Sequence, residues 1–280
     1  GQFIRMEVVE PLALSVTGTT VNGPGIVTNA AGQTLALLNT AINAPLVNAG
    51  TLTGNATVNL NGALTTTAAS ILRARADGTT SFVTFTVANG FTNLGAIELT
   101  SATSGYAVTL AVTAGTLTNA PGATITSLVG TGGTRTFAAA VDNQGLVTIA
   151  QPMTWGRTGG VHTNSGTIDV SGGDLSLDVN SGSFTNTSTG TVTIPAGRTF
   201  TTVNGVFNYA GGTIAGPGTL GFATTSVLYG FGEFGRQRGL PADQRPLGAA
   251  LPQTDLDAVG GVGVDHDAVV EPHHSAPLLC

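Results

Sequence analysis

The feature that most constrains this chain is a unit of about 22 residues that recurs along most of its length. Each copy reads apolar-x-Asn, a short spacer, Gly, then alternating aliphatic residues. Phe91-Thr92-Asn93 leads to Gly95, Ile97 and Leu99; Val141-Asp142-Asn143 leads to Gly145, Val147 and Ile149; Phe184-Thr185-Asn186 leads to Gly190, Val192 and Ile194. Asn recurs at 93, 119, 143, 164, 186 and 208, at intervals of 26, 24, 21, 22 and 22 residues. Weaker copies lie at Asn29 and Asn48. Leu64-Thr65-Thr66, with Thr66 in the Asn place, fills the 45-residue gap before Asn93 and makes nine copies between residues 27 and 220.

One such unit cannot bury its own apolar face, so copies must stack. The two-residue alternation, as in Ile168, Asp169 and Val170, is that of a strand with one face inward. Each repeat is therefore one coil of a parallel β-solenoid, with coils about 4.8 Å apart, and nine give a rod on the order of 40 Å long. Like residues stack on like: Phe91, Leu117, Val141, Phe184 and Phe207 are expected in one inner column. Asn suits a corner, because it tolerates left-handed backbone and bonds turn amides, and stacked Asn side chains bond one another as a ladder. Gly is expected to supply positive φ there. In the Asn119 copy the aliphatic residue falls out of register, which Pro121 explains by adding a residue to the corner.

Composition agrees with many short strands. Gly supplies 41 of 280 residues, only 9% are charged and 41% are hydrophobic, which opposes global disorder. The nine basic residues are all Arg and are scattered, so no basic stripe exists to track phosphates and nucleic acid is not an expected partner. The single Cys, Cys280, permits no intrachain disulfide. No apolar run is long enough to span a membrane as a helix, and no signal peptide is visible. The chain reads as a piece of a longer protein. Three segments follow: residues 1–20 as a lead-in or partial coil, 21–230 as the solenoid, and 231–280 as a polar tail rich in Pro, Gly and Asp, expected to be disordered. Ten charges, five of the twelve Pro and three of the four His fall in that last segment.

Several residues invite a chemical reading, each with a plainer one beside it. Gly260-Gly261-Val262-Gly263-Val264-Asp265-His266-Asp267 resembles one calcium-binding nonapeptide, but no stacked copies supply the remaining oxygen ligands. Asp265, His266, Asp267, His273 and His274 are metal-ligand types at a spacing that matches no motif; a solvated tail is the plainer reading. Asp169, Asp174 and Asp178 fall in one coil, with Arg157 and Arg198 in neighbouring coils. Converging carboxylates suit glycan hydrolysis, whereas separated ones merely keep strand faces soluble. Trp155, beside Gly156 and Arg157 and near His162, is either a sugar-stacking platform or a side chain packed over a coil edge. Thr pairs such as Thr124/Thr126 and Thr191/Thr193 are similar to rows on ice-binding solenoids, but neighbouring coils present Glu98, Asp169 or Ala. No triad, P-loop or dinucleotide fingerprint is present. No catalytic, cofactor-binding or metal-binding residue is assigned.

The units FTNLGAIELTS, HTNSGTIDVSGG and FTNTSTGTVTI, with the closing GGTIAGPGTL, resemble the coils of bacterial autotransporter passengers and filamentous-haemagglutinin-like adhesins. The likeness spans roughly residues 20–225. With strand twist, it implies an all-β, right-handed parallel β-helix. It also implies export to the extracellular side or outer-membrane surface of a bacterium, and a structural or adhesive role toward host or environmental glycans or proteins. The family's membrane barrel has no counterpart in this chain, so an anchor or translocator is expected outside it. A non-catalytic rod is the first expectation; a pectinase-like polysaccharide-acting enzyme on the same fold is the second.

Overall fold

A computed structural model describes residues 13–230, residue 104 excepted. The tail 231–280, with its candidate calcium and metal residues, lies outside the described residues, as do residues 1–12 of the expected lead-in. Among the described residues there is no helix, and the strands wind into a parallel β-solenoid. A typical coil runs Val141–Asn143, Leu146–Ile149, Met153–Trp155, after which Val161–Asn164 returns beside the first strand. Strands of successive coils pair in parallel on three faces. Parallel neighbours cannot be joined by a hairpin; here the rest of each coil is the crossover.

The asparagine face carries the repeat's apolar-x-Asn strands. It has ten levels, from Val27–Asn29 to the end of Thr219–Tyr229, one more than the repeat arithmetic gives. Within the segment read as a lead-in or partial coil, Ala13–Thr17 pairs in parallel with residues 34–38.

Register follows the aliphatic residues. On the face after the Gly, Ile97, Ile125, Val147, Ile168, Val192 and Ile214 lie in one buried column. Each such side chain contributes on the order of 2 kcal/mol by leaving water. The Asn119 copy is in register after all: Ile125 sits opposite Ile97 and Val147, and the extra corner residues put Ala123 where other coils have Gly. On the third face Phe85, Leu110, Phe137, Trp155 and Leu177 form a second inner column.

The Asn ladder exists at the corner after the asparagine face. Asn93 Nδ2 donates to Asn119 Oδ1 at 2.9 Å, and Asn119 to Asn143, Asn143 to Asn164 and Asn164 to Asn186 follow at 2.8 Å each. The second amide proton reaches a carbonyl of the next coil, as in Asn143 to Thr167 O at 3.1 Å. Asn29 and Asn48 make a separate rung of 2.7 Å. Thr66 does occupy the Asn place, but its hydroxyl bonds the backbone at Thr92 O and Leu94 N, so the ladder is interrupted there.

Three expectations are corrected. Asn208 is not in the column: it lies opposite Thr185, facing outward, and Tyr209 takes the place opposite Asn186. The motif Gly residues at 122 and 212 do have positive φ, but those at 50, 95, 145, 166 and 190 do not. Their role is close approach: a Cβ at Gly95 would overlap the Ser70 carbonyl oxygen, and one at Gly166 the Gly145 carbonyl oxygen. Trp155 is neither a platform nor an edge cover but lies wholly inside the core, where its Nε1–H donates to Ala139 O at 3.2 Å.

Candidate functional site

His162 occupies the inner column of Phe91, Leu117, Val141, Phe184 and Phe207, level with Phe184 on the next coil. Its ring meets Trp155 edge-on, centroids 5.5 Å apart. It is fully buried, and neither ring nitrogen has a hydrogen-bond partner. Burial, helped by the positive charge of Arg157, lowers its pKa from 6.5 to about 4, so the ring is neutral at pH 7. Arg157 itself reaches back along the stack and donates from Nη1 to Val112 O at 3.0 Å and Gly115 O at 2.8 Å. Trp155, His162 and Arg157 thus do come together, as the sequence suggested, but around a packed core.

Asp169, Asp174 and Asp178 do not converge. Asp169 points outward between Thr148 and Thr193 on the face after the Gly. Asp174 and Asp178 belong to the next face, at the two ends of one extended run, about 13 Å apart at the strand rise. Asp174 accepts from Thr199 N at 2.9 Å, and Asp178 accepts from Asn180 N and Asn204 Nδ2, both at 3.1 Å. Among the described residues no ion pair joins these three to Arg157 or Arg198; the pairs present are Arg73–Glu98 at 2.6 Å and Arg75–Asp77 at 3.4 Å.

What the sequence reading missed is a row on the third face. Thr57, Thr84, Thr109, Thr136, Thr154, Ser176 and Thr201 lie opposite one another on consecutive coils, all pointing outward. None of these seven hydroxyls is used in a hydrogen bond within the described residues. Two shallow depressions open on this face. One, of about 220 Å³, lies beside Thr57 near the start of the described chain; the other, of about 540 Å³, is lined by Thr134, Thr154, Asp174, Ser176 and Thr201, with Arg135 among its walls.

Arg135 has an unusual setting for a charge. Its side chain is 1% exposed, in an inward position between Val108 and Met153. Carbonyls of the preceding corner hold the guanidinium: Gly132 O, Gly133 O at 2.8 Å and Leu128 O at 3.4 Å. The Nε–H has no partner. Desolvation lowers its pKa from the ordinary arginine value. The face also carries aromatic rings at its strand starts: Phe82 is 53% exposed and Tyr106 38%, just before the strands that bear Thr84 and Thr109.

Among the described residues no three His, Cys, Asp or Glu side chains are grouped to hold a metal ion, and no helix is long and apolar enough to cross a membrane. No protein-family model matches the chain, and neither a curated protein nor a solved structure does so.

Proposed function

We propose that this chain is part of a secreted or cell-surface structural and adhesive repeat protein of a bacterium, in which a rigid, non-catalytic solenoid presents many weak binding positions along its sides. The reading is supported above all by the outward rows: short hydroxyl, amide and apolar side chains repeat coil after coil with few charges. Such a surface gives many equivalent weak contacts, and these gain strength by multivalency without any deep pocket. The core adds rigidity, since every level is bonded to the next through backbone and, over most of the stack, through Asn side chains. A polysaccharide-acting enzyme would call for converging carboxylates, and Asp169, Asp174 and Asp178 lie apart. Two measurements test the proposal. An antibody to the solenoid should label intact source cells as strongly as broken ones. Beads coated densely with the chain should adhere to cells or extracellular matrix where sparsely coated beads do not. Labelling confined to broken cells overturns the location, and adhesion independent of coating density overturns the multivalent mechanism.

A further inference from the structure

Asparagine is chemically labile, most of all before glycine, whose bare α-carbon lets its nitrogen approach the asparagine side chain. The dipeptide occurs four times, at Asn22, Asn61, Asn89 and Asn204. Ring closure needs the carboxamide to swing over the next main-chain nitrogen, so a hydrogen bond that holds either group opposes it. Three of the four are held. Asn22 Oδ1 accepts from Asn43 at 2.6 Å. Asn61 Nδ2 donates to Asn43 Oδ1 at 2.7 Å, and the Gly62 N–H donates to Ile42 O at 3.2 Å. Asn204 Nδ2 donates to Asp178 Oδ1 at 3.1 Å, and Gly205 lies within the strand Thr199–Tyr209, opposite Thr225. Asn89 differs. It and Gly90 are exposed, at the corner between Val83–Val87 and Thr92–Asn93. Among the described residues neither the Asn89 carboxamide nor the Gly90 N–H has a hydrogen-bond partner.

The chain is nevertheless pinned on both sides of this dipeptide. Ala88 N donates to Leu60 O at 2.9 Å, Ala88 O accepts from Ala114 N at 3.1 Å, and Phe91 O accepts from Thr118 N at 3.0 Å. Gly90 lies so close to the next coil that a Cβ on it would overlap the Thr116 carbonyl oxygen. We infer that Asn89–Gly90 is a site of spontaneous deamidation, a covalent change that loosens the Asn ladder at its head, Asn93. The Gly90 nitrogen bonds to Asn89 Cγ, the Cγ–Nδ2 bond breaks, and ammonia leaves with the Gly90 proton. Water then opens the cyclic imide at either carbonyl. One opening leaves aspartate at 89. The other leaves an isoaspartyl link, in which the main chain runs through the former side chain and is one carbon longer. Nothing is oxidised or reduced. Aspartate only adds a charge at an exposed corner. The longer link has no slack between Ala88 and Phe91, so it drives Gly90 against Thr116 and displaces the strand that carries Asn93. This chemistry is independent of what the rod binds.

The test is to age the full 280-residue chain in mildly alkaline buffer at physiological temperature, both folded and in urea, and to follow each Asn-Gly by peptide mapping with mass spectrometry. In the folded chain Asn89 should gain one mass unit at least tenfold faster than Asn61 or Asn204, and faster than Asn22. In urea the four should react within a few-fold of one another. Isoaspartyl methyltransferase should label the aged folded parent at least tenfold more than aged Asn89→Gln, whose longer side chain closes a ring far more slowly. Hydrogen exchange reads the consequence. In the isoaspartyl fraction the Thr118 and Ala120 amides, which bond Phe91 O and Asn93 O, should exchange at least tenfold faster than in fresh chain. Freshly purified Asn89→Asp, which adds the charge without the length, should exchange as the parent does. Asn89 reacting no faster than any one of its three counterparts in the folded chain overturns the site. An isoaspartyl fraction that keeps both amides protected, or equal loosening by Asn89→Asp, overturns the effect on the ladder.

Discussion

The molecule contains two asparagine ladders built alike and placed differently. Asn93, Asn119, Asn143, Asn164 and Asn186 are joined amide to amide within the buried corner, at 2.8 to 2.9 Å. Asn22, Asn43 and Asn61 are joined in the same manner at 2.6 and 2.7 Å, but all three are exposed. Bond length does not separate them; the alternative partner does. An exposed amide that loses its neighbour bonds water, whereas a buried one has nothing else, and the cost of an unpaired buried group exceeds the net gain of the bond. His162 extends the contrast. It too is a buried polar side chain in a stacked column, but its neighbours are apolar, so it has no like residue to bond.

The largest effect expected from breaking the comparison is at the middle of the buried ladder. Asn143→Leu removes the bonds from Asn119, to Asn164 and to Thr167 O, and strands polar atoms above and below. It should destabilise the rod by about 4 kcal/mol, at 1 to 3 kcal/mol per stranded group, read as a fall in the urea midpoint. A loss within about 0.5 kcal/mol, as for an ordinary surface change, would show that the ladder merely decorates the corner.

His162 comes next, through pH. Its folded pKa of about 4 lies below the ordinary 6.5, so between these values the unfolded chain binds the proton more readily. Its contribution is therefore complete above about pH 6.5 and is lost as pH falls through 4. The shift corresponds to about 3 kcal/mol. His162→Phe, which matches Phe184 and Phe207 in the same column, should abolish that part of the acid sensitivity in unfolding curves at pH 7 and pH 4. An unchanged pH dependence would place the titrating group elsewhere.

A smaller effect should come from repairing the gap. Thr66→Asn puts an amide between Asn48 and Asn93, and should raise stability by about 1 kcal/mol, the net worth of one added hydrogen bond. Destabilisation would mean that the hydroxyl's bonds to Thr92 and Leu94 matter more than ladder continuity. The smallest effect belongs to the exposed ladder: Asn43→Ala should change the urea midpoint by less than the equivalent of about 0.5 kcal/mol. A loss comparable to that of Asn143→Leu would end the distinction between the two ladders.

Much of this was legible in the sequence because strands and corners write differently. Ile97, Val147, Ile168 and Val192 alternate with polar neighbours at strand period, so their column could be read directly. Thr66 was placed by arithmetic alone. Asn208 was misplaced because Phe207-Asn208 lacks the residue between apolar and Asn, and that omission was itself the signal of a one-residue offset. Trp155 misled because its polar tip suggests a surface, while neighbouring coils leave it an aromatic slot inside. The hydroxyl row was hidden by corners of unequal length: Thr109, Thr136 and Thr154 stand 27 and 18 residues apart, so no fixed period reveals that they share a line.

The unequal corners have a further consequence. Because insertions such as those after Asn119 and Asn186 leave the strands on either side in register, the perimeter at a corner and the height of the tower vary independently. A storey copied whole lengthens the tower, while residues added at a bend enlarge only a balcony. A lineage can therefore change how far such a structure reaches without renegotiating what it displays on the way.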